Sequence, residues 1–384
     1  MPKVLLKDVV ARIKDKVDKD STNLEYYIGG EHFDYAEVCI TKRGVIQGST
    51  IGPAFHMHFM PGDVLLMSRN PHLRKAGVVD FEGICSDVSY VCRTKDENVL
   101  MQRYLPFVFQ TDHFWEFAER NKKGSTNFFL NWSDFEKYEF DLPGIEEQRK
   151  LTELLWAAQE TKMAYQELLR QSDELVKSQF IELFGDPISN SKCLPVKLLS
   201  EVASSRLGKM LDAKKQTGKY RHPYLANFNV QWFRFDFSTL NEMDFNEEDQ
   251  VEFALEYGDL MVCEGGEVGR CAVWHNEIEC CYFQKAVHRV RCDTTQILPE
   301  YLAWWFHFRS SYNEFEDIIG SKSTIAHLPG VKLKALEIPI PSIGLQQDFV
   351  FLVEQTDKSK FELKQSIANI TALMKSLMQQ DFSN

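Results

Sequence analysis

Long apolar runs are missing from this chain of 384 residues. The longest strongly apolar run, residues 301–306, is far too short to cross a bilayer, which requires about 20 consecutive apolar residues. The first eight residues also lack the long apolar core of a secretion signal. We therefore expect a cytoplasmic protein that has no membrane partner.

The cysteine spacing that metal and redox sites require is absent too. None of the nine cysteines forms a C-x-x-C pair, so a zinc ribbon or a redox motif has no support. One irregular group lies between positions 263 and 281, and it comprises Cys263, Cys271, His275, Cys280 and Cys281. Its uneven spacing favours buried thiols in a reducing compartment over metal ligands. We expect neither a metal nor a cofactor.

Motifs of the common nucleotide-dependent enzymes do not occur. There is no G-x-x-x-x-G-K-[ST] phosphate loop, which excludes an ATP-driven motor of that type, and no N-P-P-Y motif of amino-methyltransferases. The glycine-rich run 265–269 lies in a strand-turn-strand pattern, which favours a turn over a dinucleotide site. Acids at 247–249 favour an exposed turn. A nuclease with unrecognised carboxylates stays open, and it predicts metal-dependent DNA cleavage by the purified chain.

A net positive charge is missing as well, since the formal net charge is −12. That total argues against nucleic-acid binding, but the local distribution of Lys and Arg matters more than the sum. Residues 206–221 hold six basic side chains against one acid, and two further basic tracts lie in the first half. The three tracts are Arg206, Lys209, Lys214, Lys215, Lys219 and Arg221; Arg69, Arg74 and Lys75; and Arg120, Lys122 and Lys123. Basic tracts are often only solvated surface, so they decide nothing alone.

The chain does contain an internal repeat of nearly 200 residues. Five motifs recur in the same order at offsets of 196 to 198 positions, which indicates a duplication. The matched motifs are Gly62-Asp63-Val64-Leu65 with Gly258-Asp259-Leu260-Met261, Tyr104-Leu105 with Tyr301-Leu302, Ser125-Thr126 with Ser323-Thr324, Leu142-Pro143 with Ile340-Pro341, and Gln148 with Gln346. Each half begins with short apolar runs between Gly, Asn and Asp turns, as in strand-rich domains.

Each half ends in a long segment without Pro or Gly that follows Pro143 or Pro341 closely, from about residue 145 to 184 and from about 345 onwards. In the second segment a strict 4-3 spacing joins Phe349, Val353, Thr356, Lys360, Leu363, Ile367, Ile370, Met374 and Leu377. The first repeats it with Leu151, Leu155, Ala158, Lys162, Tyr165, Leu169, Ser172, Val176 and Gln179. This spacing predicts two long helices that pair as a coiled coil. In the alternative, each helix packs on its own globular half.

The order of several motifs in the second half resembles the DNA specificity subunit of type I restriction-modification systems. The motifs are YLANFNVQW at 224–232, GDLMVCEGGEVGR at 258–270, CYFQKAVHRVR at 281–291 and IPIP at 338–341, followed by Gln346 and Gln347. The resemblance covers essentially the whole chain, twice. The first half departs from it at RNPHLRKAG, residues 69–77, the counterpart of the glycine turn. The two halves should therefore read different sequences.

The resemblance implies an α+β fold with two target-recognition domains, joined by two long antiparallel coiled-coil helices with pseudo-twofold symmetry. Residues 1–144 and 186–341 would form the domains, and 145–185 and 342–384 the spacer helices. In the family, each domain reads one half of a split site in double-stranded DNA. The helices set the gap and dock two adenine-methyltransferase (modification) subunits, to which restriction-translocase subunits attach. The subunit itself is non-catalytic, so we expect no catalytic residue.

Sequence reading needs side chains that bond base edges, chiefly Arg, Lys, Asn and Gln. The candidate base-reading residues of the first domain are Arg69, Asn70, His72, Arg74 and Lys75, and its candidate phosphate contacts are Lys122, Lys123, Ser125 and Thr126. The candidate DNA contacts of the second domain are Lys209, Lys214 and Lys215, with Lys322, Ser323 and Thr324 as the counterparts of the first domain's phosphate contacts. The runner-up interpretation is a scaffold that binds proteins, not DNA, through a duplicated domain and a coiled coil.

Overall fold

The computed structural model describes residues 2–212, 216–311 and 327–382. It divides into two compact units, one comprising Met1–Leu168 and Glu362–Asn384, the other Leu169–Phe361. Each unit holds one globular half of the chain together with one segment of each long helix.

The first half of the chain, residues 2–184, contains ten strands and five α-helices. In chain order these elements are β1 (Lys3–Leu5), α1 (Leu6–Val9), β2 (Val10–Ile13), β3 (Tyr26–Ile28), β4 (Gly44–Val45), β5 (Phe55–Phe59), β6 (Val64–Met67), β7 (Ala76–Val78), β8 (Gly83–Ser86), β9 (Ser89–Thr94), α2 (Leu105–Val108), α3 (Asp112–Asn121), α4 (Trp132–Phe135), β10 (Glu139–Asp141) and the long helix α5 (Ile145–Phe184).

The same plan follows in the second half. Its elements are β11 (Val196–Leu198), α6 (Leu199–Val202), β12 (Ala203–Leu207), β13 (Arg221–Leu225), β14 (Val230–Gln231), β15 (Arg234–Phe235), β16 (Asn241–Asp244), α7 (Glu247–Glu252), β17 (Leu260–Cys263), β18 (Cys271–Val273), β19 (Tyr282–Phe283), β20 (Val287–Cys292), α8 (Pro299–Ser311), α9 (Gly330–Lys334), β21 (Glu337–Pro339) and the long helix α10 (Ile343–Phe382).

One four-stranded sheet and one strand pair of the first half have strand-by-strand counterparts in the second. The antiparallel order β2-β9-β6-β7 is matched by β12-β20-β17-β18, and the pair β1-β10 by β11-β21. Each half also has one parallel pair, β3 with β8 and β13 with β19. The mixed α+β fold with a duplicated domain is therefore confirmed.

A fully buried strand separates two cores in each half. Along β6, Val64 and Leu66 pack into one core while Leu65 and Met67 pack into the other. Along β17, Leu260 and Val262 likewise face one core, and Met261 and Cys263 face another. Successive strand residues point to opposite faces, so a short run of continuous apolar residues is what a strand between two cores requires.

A buried glutamine holds the start of each long helix in the same way. Gln148 accepts a hydrogen bond from the Met101 amide at 3.0 Å and donates to the carbonyl oxygens of Val99 and Pro143, both at 2.8 Å. Gln346 accepts from the Leu298 amide at 2.8 Å and donates to Gln296 and Pro341. The repeat seen in the sequence therefore extends to individual side-chain contacts.

A second repeated contact closes the turn before the buried strand. Asp63 pairs with Arg93, and Asp259 pairs with Arg291 through two hydrogen bonds of 2.7 and 2.8 Å. The Asp63 and Asp259 side chains form the main hydrogen bonds that raise the pKa of Arg93 and of Arg291 above its ordinary value. Since both carboxylates are almost fully buried, each depends on its arginine for charge compensation.

The two long helices run antiparallel and contact each other within each unit. In the second unit Phe180 and Phe184 of α5 pack on Phe349 of α10, both with ring centroids 5.4 Å apart. Farther along, Lys360 of α10 pairs with Asp173 of α5 at 2.9 Å. In the first unit Leu155 shares a core with Met374 and Met378. The predicted antiparallel pair is confirmed, although both helices also pack on the globular halves.

Candidate nucleic-acid interface

A tight turn and a neighbouring loop in the first unit bring two groups of candidate residues together. The turn holds Asn70 and Arg74 in the left-handed region, at φ values of 51° and 47°, on either side of a short 3-10 helix. The Asn70 amide donates to the Phe128 carbonyl at 2.9 Å, and Arg69 bridges to Phe129. The turn at 69–75 therefore lies beside the loop at 122–130, about 50 positions later in the chain.

Several side chains of this surface have their polar groups available to a ligand. Arg69, His72, Ser125 and Thr126 are exposed and Asn70 is half-buried. Within the described ranges, the structure shows no hydrogen bond or ion pair to any of these side chains. We call this set the open polar group of the first unit. Its guanidinium, amide, imidazole and hydroxyl groups are the types that bond base edges and phosphates.

Arg74 and Lys75, in contrast, already have partners inside the protein. Arg74 pairs with Asp112, which also accepts hydrogen bonds from Lys375 at 2.9 Å and from Gln379 at 2.7 Å. Burial alone would raise the pKa of Asp112, but hydrogen bonds from Arg74 and Lys375 hold it below its ordinary value. Lys75 donates to the Gly30 carbonyl at 2.6 Å. These two cations therefore stabilise the local fold.

The lysines of the 122–130 loop also have acidic neighbours. Lys122 pairs with Glu119 at 2.7 Å and lies 4.2 Å from the centre of the Phe128 ring. Lys123 pairs with Asp134 at 2.7 Å, and that hydrogen bond is the main cause that holds the pKa of Asp134 below its ordinary value. A phosphate could reach these partly exposed lysines only in competition with the carboxylates, which reduces the net attraction.

The glycine turn of the second unit occupies the position of the 69–75 turn. The 69–75 turn follows β6 and pairs with the 122–130 loop. The glycine turn follows β17 and pairs with His327. Gly265 bridges to His327, and the Leu328 amide donates to the Glu264 carbonyl at 2.7 Å. Arg270 reaches back to the Asn227 carbonyl at 2.9 Å. The turn is thus tied into the domain at both ends.

Of the second domain's candidates, only Lys209 lies within the described residues. Its ammonium group donates to the Asp249 carboxylate at 2.5 Å and to the Asp244 carbonyl at 2.6 Å, so it anchors the loop that follows. Lys214, Lys215, Lys322, Ser323 and Thr324 lie outside the described residues.

Among the exposed lysines of this unit that we had not selected, Lys219 and Lys285 lie near Lys209. Lys219 and Lys285 have no ion pair among the residues that the structure describes, and both lie close in the chain to anchored backbone. The amide of Lys285 donates to the Lys209 carbonyl at 2.8 Å. A turn between two buried strands, β19 and β20, was the sequence signal that could have identified Lys285 as an exposed cation.

The cysteine group behaves mostly as buried thiols. Cys263, Cys271 and Cys281 are buried, while Cys280 is exposed. Burial raises the pKa of Cys263 to about 11 and that of Cys281 to about 12. Across residues 2–212, 216–311 and 327–382, no cluster of His, Cys, Asp or Glu side chains could hold a metal ion. Nor does any helix in these ranges have the length and apolar character of a membrane span.

Comparison with known proteins gives structural relatives only. Neither a protein-family model nor a curated protein matches the chain. The crystal structure of a type I restriction-modification S subunit from M. genitalium is 12% identical with a TM-score of 0.59, and the match covers 100% of this chain and 96% of that one. A chain from a structural study of complex assembly and conformational transition in the type I R-M system is 16% identical with a TM-score of 0.56, covering 99% and 97%. This chain has the fold of type I specificity subunits.

Proposed function

We propose that this chain is the DNA specificity subunit of a type I restriction-modification complex. The observation that carries the proposal is the likeness to such a subunit over the full length of both chains. Residues 1–144 and 186–341 act as two recognition domains that each bind half of a bipartite duplex site. Residues 145–185 and 342–384 form the spacer helices. Different turns at 69–75 and 264–270 support different half-sites.

Two adenine-methyltransferase subunits dock on the chain, and restriction-translocase subunits join through them. The chain itself contributes no catalytic group and no cofactor, and it works on DNA in the cytoplasm. An acidic total charge is compatible with this role, because partner subunits share the phosphate contacts. In the first domain the open polar group, Arg69, Asn70, His72, Ser125 and Thr126, contacts DNA directly. Four cations that already have partners inside the protein support this surface and make weaker contacts to phosphates: Arg74, Lys75, Lys122 and Lys123.

We expect adenine methylation only when the chain is combined with its modification partner. The test is co-expression of the two proteins in cells, followed by genome-wide mapping of methylated adenines, with each protein expressed alone as the control. The expected result is one split, asymmetric motif in the combined sample and none in either control. Methylation, DNA cleavage or ATP hydrolysis by the purified chain alone would contradict a non-catalytic role and would favour the nuclease alternative.

Salt dependence separates this proposal from a protein-binding scaffold. Each phosphate contact releases counterions, so the logarithm of the binding constant should fall steeply with the logarithm of the salt concentration. A scaffold that binds only proteins gives no such slope for the assembled complex on duplex DNA.

Two arginines five positions apart give a matched test of base reading. Arg69→Ala should relax the preference at one base pair, at a cost of about 1–3 kcal/mol in binding the preferred base, because an unpaired exposed guanidinium can bond a guanine edge. Arg74→Ala should lower stability without changing base preference, since Arg74 pairs with Asp112. Binding selection from a randomised half-site measures the preference. Uniform weakening on all sequences by Arg69→Ala would reassign Arg69 to the phosphate backbone.

A further inference from the structure

A single aspartate holds both ends of a loop in the second unit. At one end the ammonium group of Lys209 donates to the Asp244 carbonyl at 2.6 Å. At the other end the Thr217 hydroxyl and the Gly218 amide donate to the Asp244 carboxylate at 2.8 and 2.7 Å. The Asp244 amide donates in turn to the Gln216 side chain at 2.8 Å. Both ends of the loop are therefore held by the same residue.

The base of the loop is also joined to the turn between β19 and β20. The Lys209 amide donates to the Phe283 carbonyl at 3.1 Å, and the Lys285 amide donates to the Lys209 carbonyl at 2.8 Å. At position 208 a Cβ atom would overlap the Gln284 carbonyl oxygen, so the close approach requires glycine. The start of the loop cannot shift without breaking these contacts.

Two large apolar side chains follow this base directly. Met210 is 60% exposed and Leu211 is 48% exposed. Exposure of two adjacent apolar side chains to water is energetically unfavourable. Lys219 and Lys285 are exposed beside this base, and Lys214 and Lys215 follow in the sequence, while Glu247 and Glu248 of α7 are exposed next to Asp249. The single acid in residues 206–221 is Asp212. The nearby carboxylates of Asp244 and Asp249 are already bonded to the loop anchors.

The corresponding segment of the first unit lacks this combination. Residues 14–25, between β2 and β3, contain no exposed apolar side chain, and the Val17 amide is tied to the His56 carbonyl at 2.9 Å. Acids and bases alternate along it, with Lys14, Asp15 and Lys16 at its start. Two adjacent exposed apolar side chains with lysines nearby are thus present in the second half and missing from the corresponding segment of the first.

We propose that Met210 and Leu211 form a wedge that enters the DNA duplex and unstacks one base step in the half-site read by the second domain. This inference rests on the proposed function. The exposed Lys219 and Lys285 favour a polyanion as the ligand. Apolar side chains such as Leu and Met insert between base steps in other proteins that bend DNA. A wedge on a fixed base distorts DNA without losing its own shape. Distortion therefore occurs in one half-site and not in the other.

The test uses the full-length chain assembled with its modification subunits and a duplex carrying the mapped motif. 2-Aminopurine is placed at successive positions, away from the methylated adenine, because methyltransferases themselves extrude their target base. We expect a fluorescence increase at one step in the second half-site only. Met210→Ala with Leu211→Ala should abolish it and weaken binding about tenfold, while the salt slope stays unchanged. Lys214→Ala with Lys215→Ala should instead lower the slope by about one unit per lost contact and keep the fluorescence at saturation.

Two controls make the result specific. Val251 is 82% exposed but belongs to the acidic helix α7, so Val251→Ala should alter neither fluorescence nor affinity. Met210→Leu keeps an apolar tip and should keep the signal. An unchanged fluorescence profile in the double alanine variant, with specific and salt-dependent binding retained, refutes the wedge and leaves the proposed function intact. If the wild-type complex binds no duplex in a salt-dependent manner, both proposals are wrong.

Discussion

Exchanging residues 1–144 for the first recognition domain of another type I specificity subunit should change one half of the methylated motif completely and leave the other half unchanged. Each globular half has its own pair of cores, on either side of β6 in one and β17 in the other. Neither pair mixes residues from the two halves except at the long helices. The half-site read by residues 186–341 should therefore persist, as methylation mapping of the hybrid would reveal.

A donor domain must preserve two ion pairs that the first domain makes with the long helices. Glu37 of the first domain pairs at 2.6 Å with Lys162, which is only 5% exposed on α5, and Asp112 pairs with Lys375 on α10. A donor domain should carry acids at both places, since a buried ammonium group without its carboxylate destabilises the protein. Glu37→Gln in the parent chain is the matched control. It should lower the free energy of unfolding by about 2–4 kcal/mol and leave both half-sites unchanged.

A change in both half-sites would contradict independent recognition by the two domains. If the hybrid folds, binds its partners and methylates a motif in which both halves differ from the parent, the domains read DNA jointly. If the hybrid is only destabilised, and by about as much as Glu37→Gln, the cause is the lost Lys162 contact. The exchange is then repeated with a donor domain that has the acid at position 37.

The long helices were predictable from the sequence because their signals are local. The 4-3 spacing places every predicted seam residue of both helices in a buried or half-buried position. Gly185, at a φ of 77°, follows the last residue of α5, and Pro187 prevents its continuation. Spacing and helix-terminating residues act over a few positions, so the amino-acid order alone carries them.

The partners of charged residues were not predictable in the same way. The sequence places Lys162 and Lys360 at equivalent seam positions, yet Lys162 pairs with Glu37, far away in the chain, while Lys360 pairs with Asp173 of the neighbouring helix. Lys209, which we selected as a DNA contact, forms an ion pair with Asp249. Its contact with DNA stays a prediction. A count of charges in a tract contains no information on tertiary ion pairs, because these depend on which loops meet.

Proximity within the candidate surface was likewise beyond the sequence. The turn that contains Arg69 and the loop that contains Ser125 were selected separately, one for base reading and one for phosphate contacts. Backbone hydrogen bonds from Asn70 to Phe128 and from Leu130 to Ser68 bring them together. Such pairings of distant loops follow from the sheet topology, which the repeat indicated only in outline.

Lengthening both long helices by seven residues should lengthen the gap of the recognised motif by about three base pairs. Seven residues add about 10 Å of helix, and a duplex rises about 3.4 Å per base pair. Insertions after Leu168 and after Lys364 lie between the contacts of α5 and α10 with the two globular halves and leave Lys162 and Lys360 in place. Seven is the heptad period, so the apolar stripes stay in phase across the insertion. Methylation mapping of the variant measures the gap.

An insertion of eight residues at both places is the matched control, because it lengthens the helices almost equally but turns the apolar stripe out of phase. It should reduce the thermal stability, whereas the seven-residue variant should keep the parent's melting temperature. Three added base pairs also rotate the second half-site by about a third of a helical turn, so the alternative outcome is a loss of specific binding. Either result agrees with helices that set the gap. A stable seven-residue variant that methylates the parent motif, with an unchanged gap and undiminished affinity, would show that another element determines the spacing.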